Sequence, residues 1–121
     1  MSTRVVYVVS GDPREKTENV SAVFAQALTA LSFDYECEIF LMDEAVKSVV
    51  KGAIDDVKFK TFEPIVEMME NYMEMGGKLY VCHPSSDARE IHEDDCIEGI
   101  EFVNASKLLE SGKNSDAIYT F

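Results

Sequence analysis

Val5-Val6-Tyr7-Val8-Val9 is apolar at every position. A strand with one wet face alternates apolar and polar side chains, so an unbroken run marks a strand covered on both faces. Ser10-Gly11-Asp12-Pro13 breaks the run. Val20, Val23, Phe24, Ala27, Leu28 and Leu31 then recur at helical spacing, one face of an amphipathic helix. The same alternation continues. Cys37 to Met42 reads as a second strand, and Asp43 stands where it can cap a short helix through Val50 that Gly52 ends. After a charged connection over residues 53–61, Phe62, Ile65, Met68, Met69, Tyr72 and Met73 mark a further helix. Pro64 is tolerable in its first turn, and Gly76-Gly77 stops it. Lys78 to Cys82 is a third strand, and residues 84–97 form one or two short helical turns ending near Gly99. Ile100 to Val103 is a fourth strand, residues 105–111 a short helix closed by Gly112, and Ala117 to Phe121 a fifth strand.

Strands alternating with helices predict an α/β fold: a three-layer α/β/α sandwich around a five-stranded, mostly parallel sheet. A length of 121 residues without repeats or linkers implies one domain, residues 1–121. Right-handed crossovers bring the carboxyl ends of parallel strands to one sheet edge, where ligands and chemistry collect. That edge would gather Gly11-Asp12, Met42-Asp43, Cys82-His83 and Asn104.

No apolar run approaches the ~18 residues of a membrane span. Met1-Ser2-Thr3-Arg4 leads into a strand without signal-peptide features, so a cytoplasmic location is expected. A net charge of −12 repels phosphate backbones and anionic lipid, so neither nucleic acid nor membrane is an expected partner. It suits a basic protein, or solubility alone. The three cysteines, 37, 82 and 96, are odd in number and scattered, as free thiols are in a reducing compartment.

Cys82 carries the candidate chemistry. A cysteine on an apolar strand is commonly a small buried hydrophobe. Cys82 stands apart because it closes its strand, directly before His83-Pro84-Ser85-Ser86. Pro in a first turn and Ser as a cap are helix-start signals. A helix start beside sulfur favours the thiolate, the reactive form, and Arg89 about a turn further on adds positive charge. Cys37 reads as core. Met68, Met69, Tyr72 and Met73 also read as core, while Met75 falls off their stripe and is free for a partner subunit.

Cys82-His83 with His92-x-x-x-Cys96 loosely resembles a metal-ligand set. Adjacent strand residues face opposite ways, however, and no tight Cys-x-x-Cys pair exists. No metal and no cofactor are expected. Phosphate-loop, dinucleotide, zinc-protease and nucleophile-elbow patterns are missing, and Glu93-Asp94-Asp95 lacks calcium-loop spacing.

In order and spacing, the segments resemble the DsrE/DsrF/TusD-like family of small sulfur-relay proteins. The resemblance runs from Ser10-Gly11-Asp12-Pro13, through Glu38-Ile39-Phe40-Leu41-Met42-Asp43-Glu44-Ala45-Val46, to Gly76-Gly77-Lys78-Leu79-Tyr80-Val81-Cys82-His83-Pro84-Ser85-Ser86. Arg89-Glu90-Ile91 and Ile97-Glu98-Gly99-Ile100-Glu101 complete it. It implies a single DsrE-like domain, assembly into homotrimers or homohexamers, and a persulfide on Cys82. Sulfur donor and acceptor proteins would be the partners, and on the residues' own chemistry the helix start at Ser85-Ser86, with Arg89 or His83, would support the sulfur. The chain departs from the family pattern at Phe33-Asp34-Tyr35, where many members have Gly, and at His83-Pro84 after the cysteine.

Three readings follow. The first is intracellular sulfur relay through Cys82, a sulfurtransferase-like activity. The second is a non-catalytic oligomeric binding or structural subunit of the same fold. The third is a redox sensor pairing Cys82 with Cys96.

Overall fold

The computed structural model describes residues 2–121. In chain order the elements are β1 (Arg4–Val9), α1 (Thr17–Ser32), β2 (Glu36–Leu41), a 3₁₀ segment (Asp43–Val49) and α2 (Ile65–Glu74). There follow β3 (Lys78–Cys82), α3 (His83–Ala88), a 3₁₀ turn (Glu93–Asp95), β4 (Glu101–Val103), α4 (Ala105–Lys113) and β5 (Ala117–Thr120). The strand order is β4-β3-β2-β1-β5 and all pairings are parallel.

The topology assigns the layers. Steps from β1 to β4 all move one way across the sheet, so right-handed crossovers put α1 and α2 on one face. The return from β4 to β5 moves the other way and puts α4 on the opposite face. The α1–α2 side holds the main core, where Val9, Ile39, Leu41 and Leu79 meet Phe24, Met69 and Tyr72. Each such side chain contributes roughly 1.5–3 kcal/mol on burial. The α4 side is thinner: Val6, Phe40, Tyr80 and Val103 pack with Leu108. Strand residues alternate between the two cores, which is why β1 is apolar at every position.

Two sequence expectations shift. Pro64 lies just before α2 with extended backbone (ψ 138°), so the helix starts at Ile65 and Phe62 precedes it. Gly112 does not close α4, which runs to Lys113. A Cβ at Gly112 would sit 3.3 Å from Ile118 Cδ1, so this glycine lets β5 pack against the helix. At Phe33-Asp34-Tyr35, Asp34 takes the left-handed backbone (φ 63°) that glycine usually supplies after a helix. The closing bonds are Asp34 N–H to Leu31 O at 2.9 Å and Tyr35 N–H to Ala30 O at 3.1 Å.

Candidate functional site

Cys82 ends β3 and occupies the cap position of α3, with φ −63° and ψ 114°. No serine side chain caps this helix, contrary to the sequence expectation. Pro84 does sit in its first turn. Ser86 is buried and donates from Oγ to the Cys82 carbonyl at 3.0 Å, which ties the turn back onto the strand. Ser85, one residue earlier, donates from Oγ to Cys82 Sγ at 3.1 Å.

The second wall comes from the end of β2. Asp43 begins the 3₁₀ segment in the left-handed region, at φ 49°. Met42, not Asp43, is the cap, and no side chain caps the segment. Left-handed backbone is unfavourable for a non-glycine residue, although aspartate tolerates it better than most. Here it presents the Asp43 N–H to Ser85 Oγ at 3.1 Å. A hydrogen-bonded path thus runs from the end of β2, through Ser85, to the sulfur that ends β3.

Charged side chains brace the two walls. Arg89 donates from Nε and Nη2 to Glu44 Oε1 at 3.0 and 2.7 Å, and from Nη1 to the Ser85 carbonyl at 3.0 Å. Lys47 pairs with the other Glu44 oxygen and reaches Asp12 Oδ2 at 3.2 Å. Hydrogen bonds from Lys47 and Arg89 hold the Glu44 carboxyl below its ordinary range. Burial pushes the Asp12 carboxyl up, but the Arg14 N–H and the Lys47 ammonium outweigh it, and the net direction is down. Glu44 and Lys47 are nearly half-exposed, so solvent screens these pairs and each adds little to stability. Their effect is to orient the 3₁₀ segment and α3 relative to each other.

The structure sorts the expected site residues. Cys82 and Ser85 meet at the sulfur, whereas Ser86 and Arg89 act on backbone around it. His83 is exposed, with its ring edge-to-face on Phe102 at 6.2 Å between centroids. Asp12, Asp43, Glu44 and Lys47 also join the site; the sequence assigns none of them to the sulfur and reads Asp43 as a helix cap. The available signal was position, since Gly11-Asp12 and Met42-Asp43 follow strands that end at the same edge as Cys82.

The other two thiols are enclosed. Cys37 is buried in the main core, and burial pushes its thiol up to about 11. Cys96 is buried beside the second 3₁₀ turn, and burial, then Asp95, raise its thiol. Its backbone bridges Val50, and Sγ lies 3.4 Å from the His92 carbonyl. All three cysteines are free, and only Cys82 is partly exposed. Among the described residues, no three His, Cys, Asp or Glu side chains converge as a metal site. No helix among them is long and apolar enough to cross a membrane.

The model of the DsrE/DsrF-like family matches residues 3–121. The chain belongs to the DsrE/DsrF-like family. Protein MK0008 of Methanopyrus kandleri, named as uncharacterized, is 32% identical over 97% of this chain and 93% of its own length. MJ0760 of Methanocaldococcus jannaschii, likewise named as uncharacterized, is 29% identical over 86% of this chain. The match spans only 38% of MJ0760, so there the domain is part of a longer protein. The family fold is also seen in the YchN protein of E. coli, with TM-score 0.76 and 22% identity over the whole of both chains. MTH1491 of Methanobacterium thermoautotrophicum superposes with TM-score 0.74 and 14% identity, covering 99% of this chain and all of its own.

Proposed function

We propose that the protein is a sulfur carrier that holds a persulfide on Cys82 and passes the outer sulfur to a thiol of a partner protein. The observation that carries this reading is the setting of the sulfur. Cys82 is the partly exposed cysteine, it ends a strand at the ligand edge of the sheet, and a fixed hydroxyl donates to it. Thiol exchange needs an accessible thiolate and no other group. In loading, the Cys82 thiolate attacks the outer sulfur of a donor persulfide R–S–SH. A Cys82–sulfur bond forms, the donor's S–S bond breaks, and R–S⁻ leaves. In delivery, an acceptor thiolate attacks that outer sulfur, and the electron pair of the breaking S–S bond returns to Cys82.

Donor and acceptor proteins are the partners in this reading, and a homotrimer or homohexamer is its working assembly. Met75, half-exposed beyond the α2 core stripe, is available for such a contact. The test is to treat reduced protein with inorganic polysulfide, measure intact mass and map the modified peptide. One added sulfur on Cys82, removed by dithiothreitol and missing in Cys82→Ser, supports sulfur carriage. Folded protein without an adduct on Cys82 overturns it in favour of the non-catalytic subunit. Loss of the Cys82 and Cys96 thiols together under mild oxidant supports the redox sensor instead.

A further inference from the structure

We infer that Ser85 acts on the leaving sulfur during delivery, as a hydrogen-bond donor oriented by the Asp43 backbone. This rests on the sulfur-carrier reading for the identity of the reaction, but the hydrogen bonds stand without it. A serine hydroxyl has one proton and two lone pairs. The Asp43 N–H takes a lone pair on Ser85 Oγ at 3.1 Å. The hydroxyl proton then faces Cys82 Sγ, also at 3.1 Å. Two anchors restrict Ser85 further: Arg89 holds its carbonyl at 3.0 Å, and Ser86 fixes the turn through the Cys82 carbonyl. The donor is in place before any reaction, so aligning it costs little during the step.

The two half-reactions use this donor differently. During delivery, Cys82 Sγ is the leaving group. It changes from a neutral disulfide-like sulfur to a thiolate, and charge accumulates on the atom that Ser85 faces. A donor aimed there lowers the barrier, because it binds the transition state better than the persulfide. During loading, Sγ begins as a thiolate and loses charge. The donor stabilises the starting state at least as much as the transition state, so it gives no acceleration. Exchange chemistry has the same asymmetry: a stabilised thiolate leaves faster and attacks more slowly.

The experiment compares Ser85→Ala, Ser85→Thr and the unaltered protein, each first shown to be folded by circular dichroism and urea titration. Cys82 is loaded with inorganic polysulfide, and delivery to glutathione is followed by mass. Ser85→Ala is expected to slow delivery about tenfold, as for a lost bond to a charged group, and to change loading less than about threefold. Ser85→Thr, which keeps the hydroxyl, restores most of the delivery rate. A folded Ser85→Ala variant that delivers at the unaltered rate overturns the inference, as does equal slowing of both half-reactions. A merely structural role for Ser85 would produce that equal slowing. If Cys82 takes up no sulfur at all, the sulfur-carrier reading fails by itself. Ser85 is then tested on Cys82 glutathionylated in advance, where dithiothreitol attack on the glutathione sulfur expels the same Cys82 thiolate. Slower release in Ser85→Ala supports the donor role, and unchanged release removes it.

Discussion

Gly76 and Gly77 are adjacent glycines needed for unrelated reasons, and replacing each with alanine separates the two. Gly76 follows α2 at φ 95°, with nothing within 4 Å of the site of an added Cβ. Alanine there meets only backbone strain, roughly 1–2 kcal/mol. Gly77 is short of space instead. A Cβ on it would lie 2.3 Å from two Tyr72 ring carbons and 2.7 Å from a third. Carbon atoms prefer about 3.5–4.0 Å, so the ring must retreat by about 1 Å or more. Tyr72 is fully buried and packs edge-to-face on Phe24. Its hydroxyl lies 2.7 Å from the Lys78 carbonyl and 3.0 Å from that of Cys37, sharing one proton between β3 and β2. Retreat weakens this bond at about 1 kcal/mol, leaves buried carbonyls short of a donor at ~1–3, and overpacks the core at ~1–3. Gly77→Ala should therefore cost about 3–7 kcal/mol of a total near 5–15. With a urea slope of about 2 kcal/mol/M, unfolding followed by circular dichroism at one fixed protein concentration should show Gly77→Ala falling about 1.5–3.5 M below the unaltered protein. Gly76→Ala should fall by less than about 1 M. The steric account is refuted if Gly77→Ala costs no more than Gly76→Ala.

Iodoacetamide near neutral pH should label Cys82 first, with Cys37 and Cys96 reacting only after unfolding. With its thiol at about 11, Cys37 is thiolate in only about one molecule in a thousand near pH 8, and it is also buried. Peptide mapping after timed quenching checks the ranking, and early Cys37 labelling contradicts it. Asp34→Gly should gain about 1 kcal/mol, because glycine takes the left-handed backbone after α1 without a Cβ penalty; a lower urea midpoint would show that the Asp34 side chain contributes instead. Asp12 and Glu44 are held below their ordinary values of 3.8 and 4.5, and Asp56, which accepts from the Arg14 guanidinium at 2.8 Å, is held below 3.8 by that bond. Depressed carboxyl groups add stability above their unfolded values and lose it as pH falls through their folded values. Urea midpoints should therefore hold down to about pH 5 and decline below about pH 4, less steeply in high salt because the pairs face solvent. A midpoint that rises on acidification would reverse the sign.

The fold was legible because its signals were local and strong. The unbroken apolar run of β1, the helical spacing of Val20 to Leu31 and the stop at Gly76-Gly77 each depend on neighbours in sequence. Cys82 was legible for the same reason, as a strand-end cysteine before a proline. Less visible was anything set by contacts between distant segments. Asp43 looked like a helix cap, since aspartate is a good one. In the folded chain its backbone turns left-handed and its N–H meets Ser85, 42 residues away. Gly112 looked like a helix stop, but it makes room for Ile118 from β5. Arg89 looked like a charge for the sulfur, and Glu44, 45 residues away, takes two of its donors.

The position of the site along its edge follows from how each strand end is closed. Open α/β sheets often bind ligands where the strand order reverses. Here the reversal lies between β1 and β5. That gap is laced shut: the Phe121 N–H binds the Val8 carbonyl at 2.8 Å, and the Ser10 N–H binds the Phe121 carbonyl at 2.9 Å. The Phe121 ring also stands 6.2 Å from that of Tyr7. At the end of β3 no strand continues past Cys82. The chain turns directly into α3, while Asp43 to Val49 winds into a 3₁₀ segment rather than rising at once into a long helix. The sulfur is left partly exposed between these two short elements. The candidate site therefore lies where β3 ends between two short elements, and not at the reversal, where the C-terminal residues close the edge.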